Sequence, residues 1–192
     1  MELWKTCRAV NNAIRLAMLR EIARSPSRGL NVLQAGDFVG LGKAAASQYL
    51  KQLSEAGFLS VERTGKFVVC SCCSQKGMAA ARIADVLEGA FPDKARHGWQ
   101  TPLLEVINAF AHHVRERIVR AVATAGVGRI GFEDLAKAVD LPPATLRRQI
   151  GILVSAGVIS AGAGTDGLRQ YSMAKPGDPL RRVLVELASK GE

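Results

Sequence analysis

Shifting the chain by 100 residues lays residues 3–62 over residues 103–162 without a gap, and this internal repeat constrains the fold more than any other feature. Twelve of the 60 aligned positions are identical: Leu3/Leu103, Ala9/Ala109, Arg15/Arg115, Arg20/Arg120, Ala23/Ala123, Val39/Val139, Leu41/Leu141, Ala44/Ala144, Leu53/Leu153, Ala56/Ala156, Gly57/Gly157 and Ser60/Ser160. Others exchange one apolar residue for another, as at Ile14/Val114, Met18/Ile118, Ile22/Val122, Leu50/Ile150 and Leu59/Ile159. Self-similarity at a fixed period marks a chain built from copies of one unit. The 192 residues are therefore expected to form copy one over 1–90, a linker over 91–101 and copy two over 102–192. Phe91-Pro92-Asp93-Lys94-Ala95-Arg96-His97-Gly98-Trp99-Gln100 mixes Pro, Gly and charge in the manner of a linker.

Each copy carries the same pattern. Val10, Ile14, Met18 and Ile22 recur every four residues, as do Phe110, Val114, Ile118 and Val122, which predicts one long first helix. Breakers end it, Ser25-Pro26-Ser27 and Gly126-Val127-Gly128. A short helix is expected near Val32–Val39 and Phe132–Val139. A tight turn then leads into a third helix, Lys43–Ala56 and Pro143–Ala156. Pro143 suits a first helical turn, where its missing N–H costs nothing. Gly57 and Gly157 stand where a left-handed cap is usual. Two strands joined by a turn follow, Phe58–Glu62 with Phe67–Cys70, and Val158–Ser160 with Arg169–Ser172. A closing helix ends each copy, near Met78–Gly89 and Pro179–Ser189. Helix, helix, turn, helix, hairpin, helix is the order of a winged helix-turn-helix. The expected fold is mainly α (α+β), two tandem winged helix-turn-helix domains, each a helical bundle with a small β-hairpin wing.

That order points to duplex DNA. A major groove about 12 Å wide admits one helix. Such a helix needs a buried side to hold it and an open side of small or hydrogen-bonding residues. In copy one Ala46, Leu50 and Leu53 form the expected buried stripe, and Lys43, Ser47, Gln48 and Lys51 the open side. In copy two Leu146, Ile150 and Leu153 are the buried set, and Thr145, Arg147, Arg148 and Gln149 the open one. Ser and Gln suit base edges, Lys suits phosphates, and Arg pairs bidentately with guanine. Arg63 and Lys66 at the first wing and Arg169 at the second are placed to reach the adjacent backbone or minor groove. The second wing tip is nearly uncharged, so unequal reading by the two copies is expected.

Ala45-Ala46-Ser47-Gln48-Tyr49-Leu50-Lys51-Gln52-Leu53-Ser54-Glu55-Ala56-Gly57-Phe58-Leu59 resembles the recognition helix and cap of ArsR-type winged-helix repressors. Phe110-Ala111-His112-His113-Val114-Arg115-Glu116-Arg117-Ile118-Val119 is similar to their first-helix signature, and Asp134-Leu135-Ala136 with Leu141 to their second helix and turn. The resemblance implies a transcriptional regulator, adds Tyr49 to the candidate DNA contacts, and implies dimerisation through first and last helices. Two copies in one chain suggest an intrachain pseudo-dimer reading two half-sites about 34–36 Å apart, with a homodimer of tandem chains as the other arrangement. The alternative function is a protein-interaction module of a chromosome-organising or replication complex.

Composition agrees with a nucleic-acid partner. Lys plus Arg total 26 against 17 Asp plus Glu, the net charge is +9 and the pI near 9.8, a nucleic-acid binder's footprint. Residues 1–100 hold 14 basic and 8 acidic groups and residues 101–192 hold 12 and 9, so both copies are positive. An apolar fraction of 48% supports a core. No run nears the ~18–20 apolar residues of a membrane span, and Met1-Glu2-Leu3-Trp4-Lys5-Thr6 has no leader-like pattern. The expected location is the cytoplasm.

Four cysteines stand at Cys7, Cys70, Cys72 and Cys73. Cys-x-Cys-Cys raises zinc or redox sensing. It lacks a nearby fourth ligand unless Cys7 folds over it, and neighbours on a strand face opposite ways. They read better as small apolar residues. Metal-sensing relatives place cysteines just before the second helix, where this chain has Gly131 and Glu133, and Asn31 and Leu33. The closing helices hold no His. No metal and no cofactor are therefore expected. Consecutive His112 and His113 diverge on a helix and read as a cap, solvent or inter-copy contact, and Trp4 and Trp99 as packing residues. No P-loop, His-Glu-x-x-His or Gly-x-Ser-x-Gly occurs, so no enzyme is expected.

Overall fold

A computed structural model describes residues 2–25, 29–64, 67–73, 79–125, 129–164 and 168–190. In copy one the elements run α1 (Leu3–Val10), α2 (Ala13–Arg24), β1 (Leu30–Asn31), α3 (Val32–Asp37), α4 (Lys43–Glu55), β2 (Leu59–Thr64), β3 (Phe67–Cys72) and α5 (Ala79–Ala90). In copy two they run α6 (Thr101–Phe110), α7 (His113–Thr124), β4 (Ile130–Gly131), α8 (Phe132–Val139), α9 (Pro143–Ser155), β5 (Ile159–Ala163), β6 (Arg169–Met173) and α10 (Pro179–Lys190). The chain is mainly helical with two small three-stranded antiparallel sheets, ordered β1-β3-β2 and β4-β6-β5. Every element of copy one has its counterpart close to 100 residues on.

The long first helix is two helices in each copy, a correction to the periodicity. Asn12 leaves the helical region at φ −158° and ψ 131°, and its Oδ1 accepts the N–H groups of Ile14 and Arg15 at 3.0 and 3.1 Å. A side-chain acceptor at that place satisfies donors the first helical turn leaves open. His112 does the same in copy two, its Nδ1 accepting from Val114 N–H at 3.2 Å. Val10 and Phe110 close the preceding helices and stay buried, so the apolar spacing runs through the break and conceals it.

His112 makes this cap pH-sensitive. Burial first, then the positive field of Arg115, His113 and Arg8, holds its imidazole below the ordinary value. The neutral ring is the acceptor, so the unfolded chain takes the proton first as pH falls through about 6.5. Its contribution is complete above that pH and is lost on acidification below it. His112→Asn, supplying the cap that Asn12 already makes, should keep α7 intact and remove this part of the acid loss. Urea midpoints at about pH 7.5 and 5.5, bracketing the imidazole range, check it; an acid loss as large as in the parent would sink the assignment.

The remaining elements form for local reasons. Asn31 caps α3 by accepting from Leu33 and Gln34, and Gln34 Oε1 accepts from Asn31 N–H, all at 3.0 Å, a reciprocal capping box. The turn from α3 to α4 passes through Gly40 at φ +69°, and its counterpart Asp140 takes φ +48°. Gly57 and Gly157 end α4 and α9 at φ +84° and +66°, the left-handed region where glycine costs least. Leu16, Met18, Leu50, Leu53 and Phe58 in copy one, and Ile118, Leu146, Ile150, Leu153 and Val158 in copy two, are buried where α2, α4 and their hairpin, and α7, α9 and theirs, pack together.

The two copies meet through their first and last helices. α1 packs on α6 and also touches α7, and α5 packs on α10. Arg82 on α5 pairs with Glu186 on α10 at 2.7 Å, Asn11 Nδ2 donates to Asn108 Oδ1 at 3.2 Å, and Trp4 N–H donates to Glu116 Oε2 at 3.0 Å. Glu116 is itself buried and paired with Arg120 at 3.0 Å. Trp4 sets its ring edge-on to His113 at 5.9 Å, and Trp99 does so to Phe91 at 5.6 Å. The segment joining the copies is held by Arg20, whose guanidinium donates to Pro92 and Asp93 carbonyls.

Candidate nucleic-acid interface

The open face of α4 consists of Lys43, Ser47, Gln48 and Lys51, all exposed, while Ala46, Leu50 and Leu53 point into the core. Lys51 lies 3.7 Å from Glu55. On α9, Thr145, Arg147 and Arg148 are exposed over buried Leu146, Ile150 and Leu153. The backbone turn before each helix and the glycine after it set the length of this face, and the buried stripe sets its direction.

Two candidates are drawn inward. Tyr49 is half-buried, with the Arg15 guanidinium 5.9 Å from its ring centre. Gln149, at the same place in copy two, is half-buried and its Oε1 accepts from Arg115 at 3.0 Å. Position 49/149 therefore faces the arginine of the second helix of its copy, α2 or α7, rather than the open side. Arg15 and Arg115 were repeat landmarks in the sequence without an assigned role. In the structure Arg15 donates to the Arg8 carbonyl at 3.2 Å and to Gln52 Oε1. Arg115 donates to the Asn108 and Ala109 carbonyls as well as Gln149. Each arginine ties the end of its copy's first helix to the helix with the open polar face. Their identity across the repeat was the available signal.

Near α9 the charges concentrate. A cavity of about 560 Å³ is lined by Arg129, Arg147 and Arg169, with Phe132, Glu133 and Asp134 on α8. The Arg147 guanidinium lies 5.1 Å from the Phe132 ring centre, and Arg129 donates to the Ala163 carbonyl at 3.1 Å. Arg169, exposed, opens β6 opposite Ala163. Among the described residues none of Arg147, Arg148 and Arg169 forms an ion pair. In copy one Arg63 is exposed on β2 opposite Val68. Lys66 lies outside the described residues. Arg147 and Arg169 share the cavity beside α8 and Arg148 lines another beside Glu105 and Asn108 of α6; cations without an ion pair are available to phosphate oxygens without first breaking one. Among the described candidate residues, copy two has three such cations and copy one two, Lys43 and Arg63.

The cysteines do not converge. Cys7 is sealed in α1, where burial pushes its thiol far up, and Cys70 is buried on β3. Among the described residues no three His, Cys, Asp or Glu side chains are grouped to hold a metal. Burial first, then Glu88, Asp85 and Cys73, pushes the Cys72 thiol up to about 11. At neutral pH it holds on the order of 100-fold less thiolate than an unshifted cysteine. Because a more basic thiolate is also more nucleophilic, its alkylation should be about tenfold slower than that of a free cysteine. Timed iodoacetamide labelling with peptide mass mapping measures this; labelling of Cys72 at the free-cysteine rate contradicts it.

No family model matches this chain, and neither a curated protein nor a solved structure is significantly similar to it.

Proposed function

We propose that the chain is a sequence-specific double-stranded DNA-binding regulator of ArsR-like type, formed by two winged helix-turn-helix domains that pair within one chain. The observation that carries this reading is the repeated face: α4 and α9 each turn small, polar or basic residues outward from a buried apolar stripe. A three-stranded sheet whose outer hairpin follows that helix recurs in both copies. First and last helices, the dimerisation elements of the resembled family, are packed against each other inside the chain. That supports an intrachain pseudo-dimer over a homodimer. Regulation would follow from occupying an operator, with α9 and its arginines as the stronger reader.

Titrating a labelled duplex obtained by in-vitro selection, over a range of salt, tests the proposal. Affinity should fall steeply with salt, with a log–log slope of about −0.9 per neutralised phosphate. Absence of duplex binding at low salt ends the proposal and leaves the second reading, contact with protein. Leu33 and Phe38, 51% and 61% exposed on and just after α3, are the observation that favours it.

A further inference from the structure

The pairing of the copies is not symmetric, and the asymmetry opens a groove. Across the pair, Leu3 on α1 is fully buried and Arg82 and Glu186 bridge α5 to α10. Lys190 adds a second contact to Glu186 at 2.7 Å. On the opposite side the repeat puts different residues at these places. Val86 stands for Glu186, Gly89 for Ser189, Ala90 for Lys190, and Leu103, only half-buried, for Leu3. The bridging ion pair is thus absent from that side, and small residues replace long ones.

A cavity of about 490 Å³ results, walled by α5 of copy one and by α6 and the start of α10 of copy two. Val86, Pro102, Leu103, Val106 and Leu180 make its wall apolar. A Cβ added at Gly89 would meet nothing within 4 Å. The charged groups at its rim differ in what they already bind. Arg181 donates to the Ala156 carbonyl at 2.7 Å and pairs with Asp178 at 2.7 Å, and Asp178 also accepts from Arg181 N–H. Asp85 is exposed and forms no ion pair among the described residues. The uncommitted charge lining the groove is therefore a carboxylate.

We infer that this groove binds a small amphipathic organic cation, its apolar body lying on Val86, Leu103 and Leu180 and its ammonium group beside Asp85. Apolar pockets with a few placed polar groups are the usual form of small-molecule sites, and the sign of the free charge selects the ligand's charge. The site is separate from α4 and α9, so ligand binding is measured on the DNA-free protein and does not depend on the DNA reading.

The test uses 1-adamantylamine, 1-adamantanol and 1-adamantanecarboxylate, three probes with one apolar cage and different charge, titrated by calorimetry into the full chain. The amine should bind saturably, and about three- to tenfold tighter than the alcohol and more so than the carboxylate. Asp85→Asn should remove that preference. Gly89→Leu fills open space on an exposed helix position, so the protein should fold normally by circular dichroism while binding of all three probes is lost. Saturable amine binding that Gly89→Leu leaves intact, a carboxylate that binds as well as the amine, or no saturable binding by any probe overturns the inference. So does a chain dimer that Gly89→Leu dissolves, because the groove's occupant is then a second copy.

Discussion

Replacing Arg147 and Arg148 together by alanine is expected to weaken binding to the selected duplex by about 2–4 kcal/mol, on the order of 30- to 700-fold. Both side chains are exposed, neither forms an ion pair among the described residues, and α9 keeps its buried stripe without them. Folding should be unaffected, which a thermal melt checks. The salt dependence then separates two roles. If the arginines hold phosphates, the log–log slope falls by about 1.8 and all sequences lose affinity alike. If they read guanine edges, discrimination between sequences falls instead. Ser47→Ala with Gln48→Ala in copy one carries no charge change, so its loss should leave the slope unchanged. Parent-like affinity in both double variants removes α4 and α9 from the interface.

Phe110→Ala is expected to cost about 3–5 kcal/mol of stability. The ring is among the largest fully buried side chains and lies at the end of α6, against the α7 corner that Arg115 clamps. Its loss removes buried apolar surface and leaves a cavity in a close-packed region. Folded domains are stable by about 5–15 kcal/mol in total, so the change is a large fraction of the whole. Melting should fall by roughly 6–20 °C for a chain of this size, measured by calorimetry. Val10 fills the counterpart position in copy one, and Phe110→Val, leaving a smaller void, should cost less. A loss under about 1 kcal/mol, typical of an arbitrary substitution, contradicts the packing described for α6.

The faces of α4 and α9 were legible because a helix exposes its burial pattern in its own spacing. Leu50 and Leu53, or Ile150 and Leu153, mark the inward side without reference to any neighbour. Gly57 and Gly157 were legible as caps because only a left-handed turn asks for glycine there. Tyr49 and Gln149 were not legible in the same way. They lie at the margin of the open face, and whether such a residue meets solvent depends on what stands beside it. In both copies it is the arginine of the second helix, α2 or α7, 34 residues earlier in the chain. The two-residue strands β1 and β4 carry no period at all; their pairing with β3 and β6 exists only once the hairpin is in place. The break at Asn12 and His112 was hidden because burial continues through it.

Read alone, the sequence determined that there are two copies, the order of most elements in each, and which side of α4 and α9 turns inward. Those are consequences of local spacing and of residues with narrow backbone preferences. The tertiary structure alone decided how the copies meet, α1 on α6 and α5 on α10, and that one side of this pairing is bridged by Arg82 and Glu186 while the other stands open. An apolar stripe states that a surface must be covered. Which element covers it depends on distances between residues about a hundred positions apart, and periodicity carries no information on that scale.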